Sequence, residues 1–168
     1  MTARYMLDTN ICIYIIKQRP AQVLEKLLAT RANDVGVSVI TVAELRYGAS
    51  KSGRPQQNQD ALDRFLAPFT ISPFESQAAS AYGDLRAILE KKGRPIGPLD
   101  MLIAAQALSL GARLITNNAK EFRQVPGLKG PGKDPKAKTW CEGHQDGRRR
   151  APMAWVAVDE SPMVLEAR

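Results

Sequence analysis

One histidine among 168 residues is the most restrictive feature of this chain, and it lies near the end, at His144. A single imidazole cannot run a paired-histidine ribonuclease mechanism or hold a multi-histidine metal site, and Ser-His-Asp chemistry would rest wholly on that one residue. Cysteine is nearly as scarce. Cys12 and Cys141 are too few and too far apart for a disulfide framework or a Cys-rich zinc site, and Cys12 reads as a small buried apolar residue. Long apolar runs are missing as well. Residues Met1–Asp8 lack the uninterrupted apolar region of a signal peptide, and no apolar stretch approaches the length of a membrane span. A cytoplasmic protein with no membrane partner is therefore expected. The groups left to do chemistry are carboxylates, hydroxyls, amides and cations.

The chain is otherwise that of an ordinary soluble protein, 44% hydrophobic and 24% charged. Its length suits one domain, or one domain and a tail, and supports a core without covalent or metal staples. The net charge is +7, from 24 Lys and Arg against 17 Asp and Glu. Such a surplus favours polyanionic partners, although a merely soluble basic protein accounts for it equally well.

From the start to about residue 128, short apolar runs alternate with helical patterns, the signature of βα units and a parallel sheet. Tyr5–Leu7 reads as a buried strand, after which Asn10 can cap a helix over Ile11–Lys17. Pro20 suits the first turn of a helix through Ala29. Val35–Val39 is a second strand, Thr41–Tyr47 a helix stopped by Gly48, and Pro55–Phe65 a further helix. Thr70–Ser72 is a third strand. Ala78, Ala81, Tyr82, Leu85, Ile88 and Leu89 share one helical face, and Gly93 ends that helix. A turn-rich joint at Gly93–Pro98 leads into an apolar helix over Met101–Leu110, and Arg113–Thr116 is a fourth strand. The expected domains are 1–128 and a tail, 129–168, which opens on the basic, Pro/Gly-rich Lys129–Lys138. The tail holds 8 Lys and Arg and 6 Asp and Glu, so +5 of the net charge belongs to the body.

Four acidic or amide groups stand at the mouths of these elements. Asp8 follows the first strand, Glu44 lies in the helix after the second, Asp100 opens the apolar helix, and Asn117 and Asn118 follow the fourth strand. Residues just beyond the carboxyl ends of parallel strands converge on one crevice. Asp8, Glu44 and Asn118 meet there if their strands are neighbours, with Asp100 arriving from a helix N-terminus. Three carboxylates and an amide form a hard oxygen set that suits Mg²⁺ or Mn²⁺ and not zinc. Each residue also has an ordinary structural account. Thr41-Val42-Ala43-Glu44 fits a capping box, Asp100 complements a helix dipole, and Asp8 and the asparagines suit Asx turns. Asp8 resists that account best, because a carboxylate against a buried strand is costly without a partner or cation.

Four segments carry a family resemblance: Met6-Leu7-Asp8-Thr9-Asn10, Val42-Ala43-Glu44-Leu45-Arg46-Tyr47-Gly48, Gly93-Arg94-Pro95-Ile96-Gly97-Pro98-Leu99-Asp100, and Leu114-Ile115-Thr116-Asn117-Asn118-Ala119-Lys120-Glu121-Phe122. In this order and spacing, from about residue 4 to Leu128, they resemble the VapC toxins, PIN-domain ribonucleases of bacterial toxin–antitoxin pairs. The resemblance implies an α/β fold with a PIN-like, Rossmann-like parallel sheet flanked by helices, here followed by an atypical C-terminal tail. It implies Asp8, Glu44 and Asp100 as metal-binding, catalytic carboxylates. The family's fourth acidic position falls on Asn118, where an amide stands in place of Asp, as in a subset of VapC toxins that share Thr-Asn-Asn. Thr9 and Thr116 fall on hydroxyl positions beside the metal.

The implied activity is metal-dependent endoribonuclease cleavage by Mg²⁺- or Mn²⁺-activated water, restrained by a cognate VapB-like antitoxin. The implied substrate is a structured RNA such as tRNA, and a homodimer is the implied assembly. Two alternatives stay open: a non-catalytic RNA- or antitoxin-binding PIN module, for which Asn118 is the only support, and a DNA-directed PIN nuclease. Aspartate-based phosphotransfer is disfavoured, since its Asp-x-Asp pairing is absent. Asp84 and Arg86 read as solvated positions, and Arg46, Lys91, Lys92 and Arg94 as a candidate phosphate path. The tail is expected to be dispensable for fold and catalysis. Its candidate features are a last strand carrying Trp140 and an RNA-binding run at Arg148–Arg150.

Overall fold

In the computed structural model, residues 3–17 and 21–130 are described. Strands β1 (Tyr5–Leu7), β2 (Val35–Ser38), β3 (Thr70–Ser72) and β4 (Arg113–Ile115) form one parallel sheet in the order β3-β2-β1-β4. Helices α1 (Thr9–Ile16) and α2 (Ala21–Leu28) connect β1 to β2, and α3 (Val39–Ser50) and α4 (Pro55–Leu66) connect β2 to β3. Helices α5 (Ser76–Lys91) and α6 (Pro98–Ser109) lead to β4, and a short α7 (Ala119–Phe122) follows it. Among the described residues no helix is long and apolar enough to cross a membrane.

Both sheet faces are covered, as a parallel sheet requires. The two-residue period of the strands divides the core. Leu7, Val35, Val37 and Ile115 face a cluster with Ile11, Leu27, Leu45, Leu62 and Phe65. Met6 and Leu114 face the other, with Leu85, Leu89, Ile103, Ala107 and Phe122. At the centre of β2 stands Gly36, where a Cβ would lie 2.7 Å from Ala3 Cβ and 3.2 Å from the Thr70 carbonyl oxygen. Only a residue without a side chain lets the N-terminal segment pass there.

Several boundaries differ from the sequence expectation. Helix α1 starts at Thr9 and is capped by Asp8, whose Oδ1 accepts from the Asn10 amide at 2.7 Å, so Asn10 is not the cap. β2 ends at Ser38, and α3 begins at Val39 with the Ser38 hydroxyl accepting from the Ile40 amide at 3.0 Å. Thr41 therefore sits inside the helix, and no capping box forms with Glu44. α3 also runs through Gly48 to Ser50, because buried Leu45 and Ala49 hold the turn against α4. That packing overrides the cost of about 1 kcal/mol for glycine within a helix. On α5 the buried face is Ala78, Leu85 and Leu89, while Ile88 is turned toward solvent.

Gly93 and Gly111 take positive φ values of 61°, ending α5 and α6 as glycine C-caps do. Past the expected boundary at 128, the Lys129 carbonyl still accepts from the Leu114 amide at 2.8 Å along the free edge of β4. Pro20, Trp140, Cys141, His144 and Arg148–Arg150 lie outside the described residues.

Candidate metal and phosphodiester site

The strand order makes β1 the pivot of the sheet. The chain moves from β1 to β2 and β3 on one side, then crosses to β4 on the other. Loops leaving β1 and β4 therefore part in opposite directions and open a crevice beyond their carboxyl ends. Asp8 and the Thr116-Asn117-Asn118 turn lie at that crevice. Its other walls come from α3, entered from β2, and from the N-terminus of α6.

Asp8 is 1% exposed. Its Oδ1 accepts from the Asn10 amide, and its Oδ2 accepts from the Thr116 hydroxyl in a very short hydrogen bond. The Thr116 hydroxyl in turn accepts from the Asn118 amide at 2.9 Å, and the Asn118 side-chain amide donates to Asp100 Oδ2 at 3.2 Å. Two residues of one turn thus connect the carboxylates of Asp8 and Asp100. On the other side, Thr9 donates its hydroxyl to Glu44 Oε2 at 2.5 Å. Gly97 caps α6 and Pro98 opens it, which places Asp100 in its first turn, where the helix dipole favours an anion.

Electrostatics show that these carboxylates share a site. Burial pushes the Asp8 carboxyl up to about 6, and the negative charges of Asp100 and Glu44 add to the effect, against the hydrogen bonds from Thr116 and Asn10. Asp100 is also pushed up to about 6, first by burial and then by Glu44 and Glu121, with the Asn118 amide acting in the opposite sense. Loss of solvent together with nearby like charge disfavours ionisation of both groups.

All four candidate residues are therefore brought to one crevice. Glu121, in the turn after Asn118, belongs to the same electrostatic field and was not singled out from the sequence. The signal for it was its position three residues beyond Asn118, at the start of the helix that follows β4. Arg46 belongs elsewhere. It bonds Gln59 Oε1 at 2.9 Å and Asp63 Oδ1 at 2.6 Å, tying α3 to α4. Arg86 pairs with Glu90 along α5, and Asp84 is exposed beside it. Lys91, Lys92 and Arg94 are exposed on the approach to α6 and remain available to a phosphate backbone.

The donor set is oxygen only, which fits Mg²⁺ or Mn²⁺. Among the described residues, no three acidic, cysteine or histidine side chains are gathered tightly enough to grip one ion directly. The arrangement fits an ion that retains several of its waters and takes one or two carboxylates directly, as Mg²⁺ commonly does. One oxygen each of Glu44 and Asp100 is held by Thr9 and Asn118, leaving Oε1 and Oδ1 for a cation or its waters.

Comparison with known proteins places this geometry in context. Residues 5–128 match the PIN domain family. Ribonuclease VapC2 of Rickettsia felis is 46% identical over 125 residues, covering 74% of this chain and 93% of that protein. The tRNA(fMet)-specific endonuclease VapC of Shigella flexneri is 40% identical over 126 residues, covering 75% and 95%. In the crystal structure of DNA-bound VapBC from Salmonella typhimurium, a chain 38% identical superposes with a TM-score of 0.72, covering 76% of this chain and 96% of that one.

Proposed function

The chain belongs to the PIN-domain family of VapC ribonucleases, and from that premise we propose that it is the endoribonuclease toxin of a type II toxin–antitoxin pair, using Mg²⁺ or Mn²⁺ at Asp8, Glu44 and Asp100. The observation that carries the metal assignment is three carboxylates facing one crevice, with Asp8 and Asp100 both pushed up to about 6 by burial and then by neighbouring negative charge, that of Glu44 acting on each. A divalent cation offsets that repulsion, which a folded site without one must bear.

Each residue has a distinct part. Asp8, fixed through both oxygens, forms the rigid floor. Glu44 and Asp100 reach in from two helices and would hold the cation together with Asp8. Asn118 fixes Asp100 through its amide and brings a dipole, not a charge, to the crevice. When bound, the cation supplies a water of lowered pKa and neutralises charge that develops on the phosphate. Residues 1–128 contain no histidine that could take a proton from a ribose 2′-hydroxyl, which favours water as the nucleophile.

The Shigella flexneri relative is named as a tRNA(fMet)-specific endonuclease, which favours tRNA as the substrate class. The Salmonella typhimurium VapBC complex favours a VapB-like antitoxin as the partner. A body of charge +5 suits an acidic or substrate-mimicking antitoxin segment laid across the crevice. A homodimer belongs to the same proposal, supported by Val39 and Tyr47, two exposed apolar side chains on one face of α3.

The test is sequencing of RNA ends after brief expression without antitoxin, together with cleavage of matched RNA and DNA by the purified chain. Expected are RNA-specific cuts with 5′-phosphate and 3′-hydroxyl ends that stop in excess chelator. Ends bearing 2′,3′-cyclic phosphate, or full activity in chelator, overturn the water mechanism. Cleavage of DNA alone overturns the substrate.

A further inference from the structure

Gln106 is the polar exception among the buried residues of α6. It is wholly buried, on a helix whose other buried residues are Met101, Ile103, Ala104, Ala105 and Ala107. A buried amide in such a setting is costly unless its groups are paired. Here they are. Oε1 accepts from the Ser38 hydroxyl at 2.6 Å, and Nε2 donates to the carbonyls of Ser72 and Pro73, both at 2.8 Å. Those carbonyls lie where the chain leaves β3. Ser38, also wholly buried, ends β2 and caps α3.

The position of this tie relative to the site is informative. Ser38 lies six residues before Glu44, with α3 between them, and Gln106 lies six residues after Asp100 on α6. At 1.5 Å per residue, each carboxylate stands roughly 9 Å along its helix from the Ser38–Gln106 bond. The bond joins the two helices that carry Glu44 and Asp100, while the Gln106 amide pins α6 to the end of β3. Helices packed only through alanine and branched apolar side chains can slide by fractions of an ångström. A paired buried amide selects one register, because any slide leaves a polar group unsatisfied.

We propose that Gln106 is a positioning residue for the cation site, acting through Ser38 to fix the separation of Glu44 and Asp100. The proposal rests on the metal assignment above. It makes Gln106 a determinant of cation affinity although it touches neither cation nor substrate. Groups bonded directly to metal ligands commonly change affinity by about 10–100-fold when removed, and Gln106, one link further back, is placed at the lower end of that range.

The test measures Mn²⁺ binding by electron paramagnetic resonance on the purified, chelator-stripped chain, without any turnover. Variants are Gln106→Met, Ser38→Ala, the double variant, and Asn58→Ala, which disturbs a buried amide on α4 bonded to Ser52. Gln106→Met and Ser38→Ala are each expected to weaken Mn²⁺ binding about tenfold, the double variant no more than the weaker single. Asn58→Ala should lower the melting temperature and leave affinity unchanged. Excess Mn²⁺ should restore most of the cleavage rate to both singles. Wild-type affinity in both singles, with only the melting temperature lowered, overturns the positioning role. If Gln106→Met does not fold, unchanged affinity in Ser38→Ala alone overturns it. Failure of the wild-type chain to bind Mn²⁺ overturns the metal assignment itself, and the positioning role with it, an outcome distinct from unchanged affinity among variants of a chain that does bind Mn²⁺.

Discussion

The Thr9 hydroxyl donates to Glu44 Oε2 at 2.5 Å, joining residues 35 apart in sequence. Thr9 directly follows Asp8 and is the first residue of α1. One short segment therefore supplies a carboxylate to the crevice floor and the hydrogen bond that orients a second carboxylate on α3.

Thr9→Val keeps the shape of the side chain and removes the donor. A hydrogen bond to a charged group is worth about 1.5–3 kcal/mol, so RNA cleavage should fall by roughly 10–100-fold, with the fold intact by circular dichroism. Thr9→Ser should keep most of the activity. Equal activity in Thr9→Val and wild type would show that Glu44 is oriented by something else.

Asp100 and Asn118 should respond differently, although they are bonded to each other. Asp100→Asn preserves size and removes a negative charge from the cation's surroundings. Cleavage should drop on the order of 10²-fold or more, comparable to loss of a principal electrostatic stabiliser. Asn118→Ala removes only a dipole and should be milder. Asn118→Asp adds a carboxylate beside Asp100 and should lower the Mg²⁺ concentration needed for half-maximal cleavage. An Asn118→Asp variant that needs more Mg²⁺ than wild type would place Asn118 outside the cation's reach.

Gly36→Ala tests the sheet independently of the site. The added methyl would meet Ala3 Cβ at 2.7 Å and the Thr70 carbonyl at 3.2 Å. Ala3 can shift, but a backbone carbonyl in a paired strand cannot shift easily, so a loss of about 1–3 kcal/mol is expected from overpacking. Urea unfolding followed by circular dichroism measures it. A midpoint equal to that of wild type would mean that the N-terminal segment is not held against β2.

Much of this arrangement was legible in the sequence because it follows from local chemistry and simple topology. Tyr5–Leu7 and Thr70–Ser72 are strands with the expected bounds. Asp8, Glu44 and Asn118 converge because each follows one of three adjacent parallel strands. The features that escaped depend on contacts distant in sequence. Thr41 and Glu44 satisfy the spacing of a capping box, yet Ser38 is the cap, because β2 passes into α3 without an intervening loop. Gly48 does not end α3, since tertiary packing outweighs its propensity. The Ser38–Gln106 bond spans 68 residues, and no periodicity within α6 indicates what a buried amide there would meet.

The raised carboxyls give a stability signature with a definite sign. Asp8 ionises near 3.8 when unexposed to the fold's influence and at about 6 in the folded protein. Between those values the folded state holds a proton that the unfolded state has lost. The stabilisation is therefore fully present below about 3.8 and disappears as pH rises through about 6. For a shift of this size the loss by pH 7 is at most about 3 kcal/mol for buried Asp8, and smaller for half-buried Asp100, where solvent screens the charge. Cation-free protein should thus lose stability between about pH 4 and pH 7, relative to an Asp8→Asn variant, which lacks the titrating group but can still accept from Thr116. Millimolar Mg²⁺ should offset the loss above pH 6, where the carboxylates are ionised and able to hold it. Thermal melts of both proteins across this range, in chelator and in Mg²⁺, provide the measurement. Parallel curves in chelator for wild type and Asp8→Asn would show that Asp8 ionises at its ordinary value, and the electrostatic case for a cation at this crevice would fall with it.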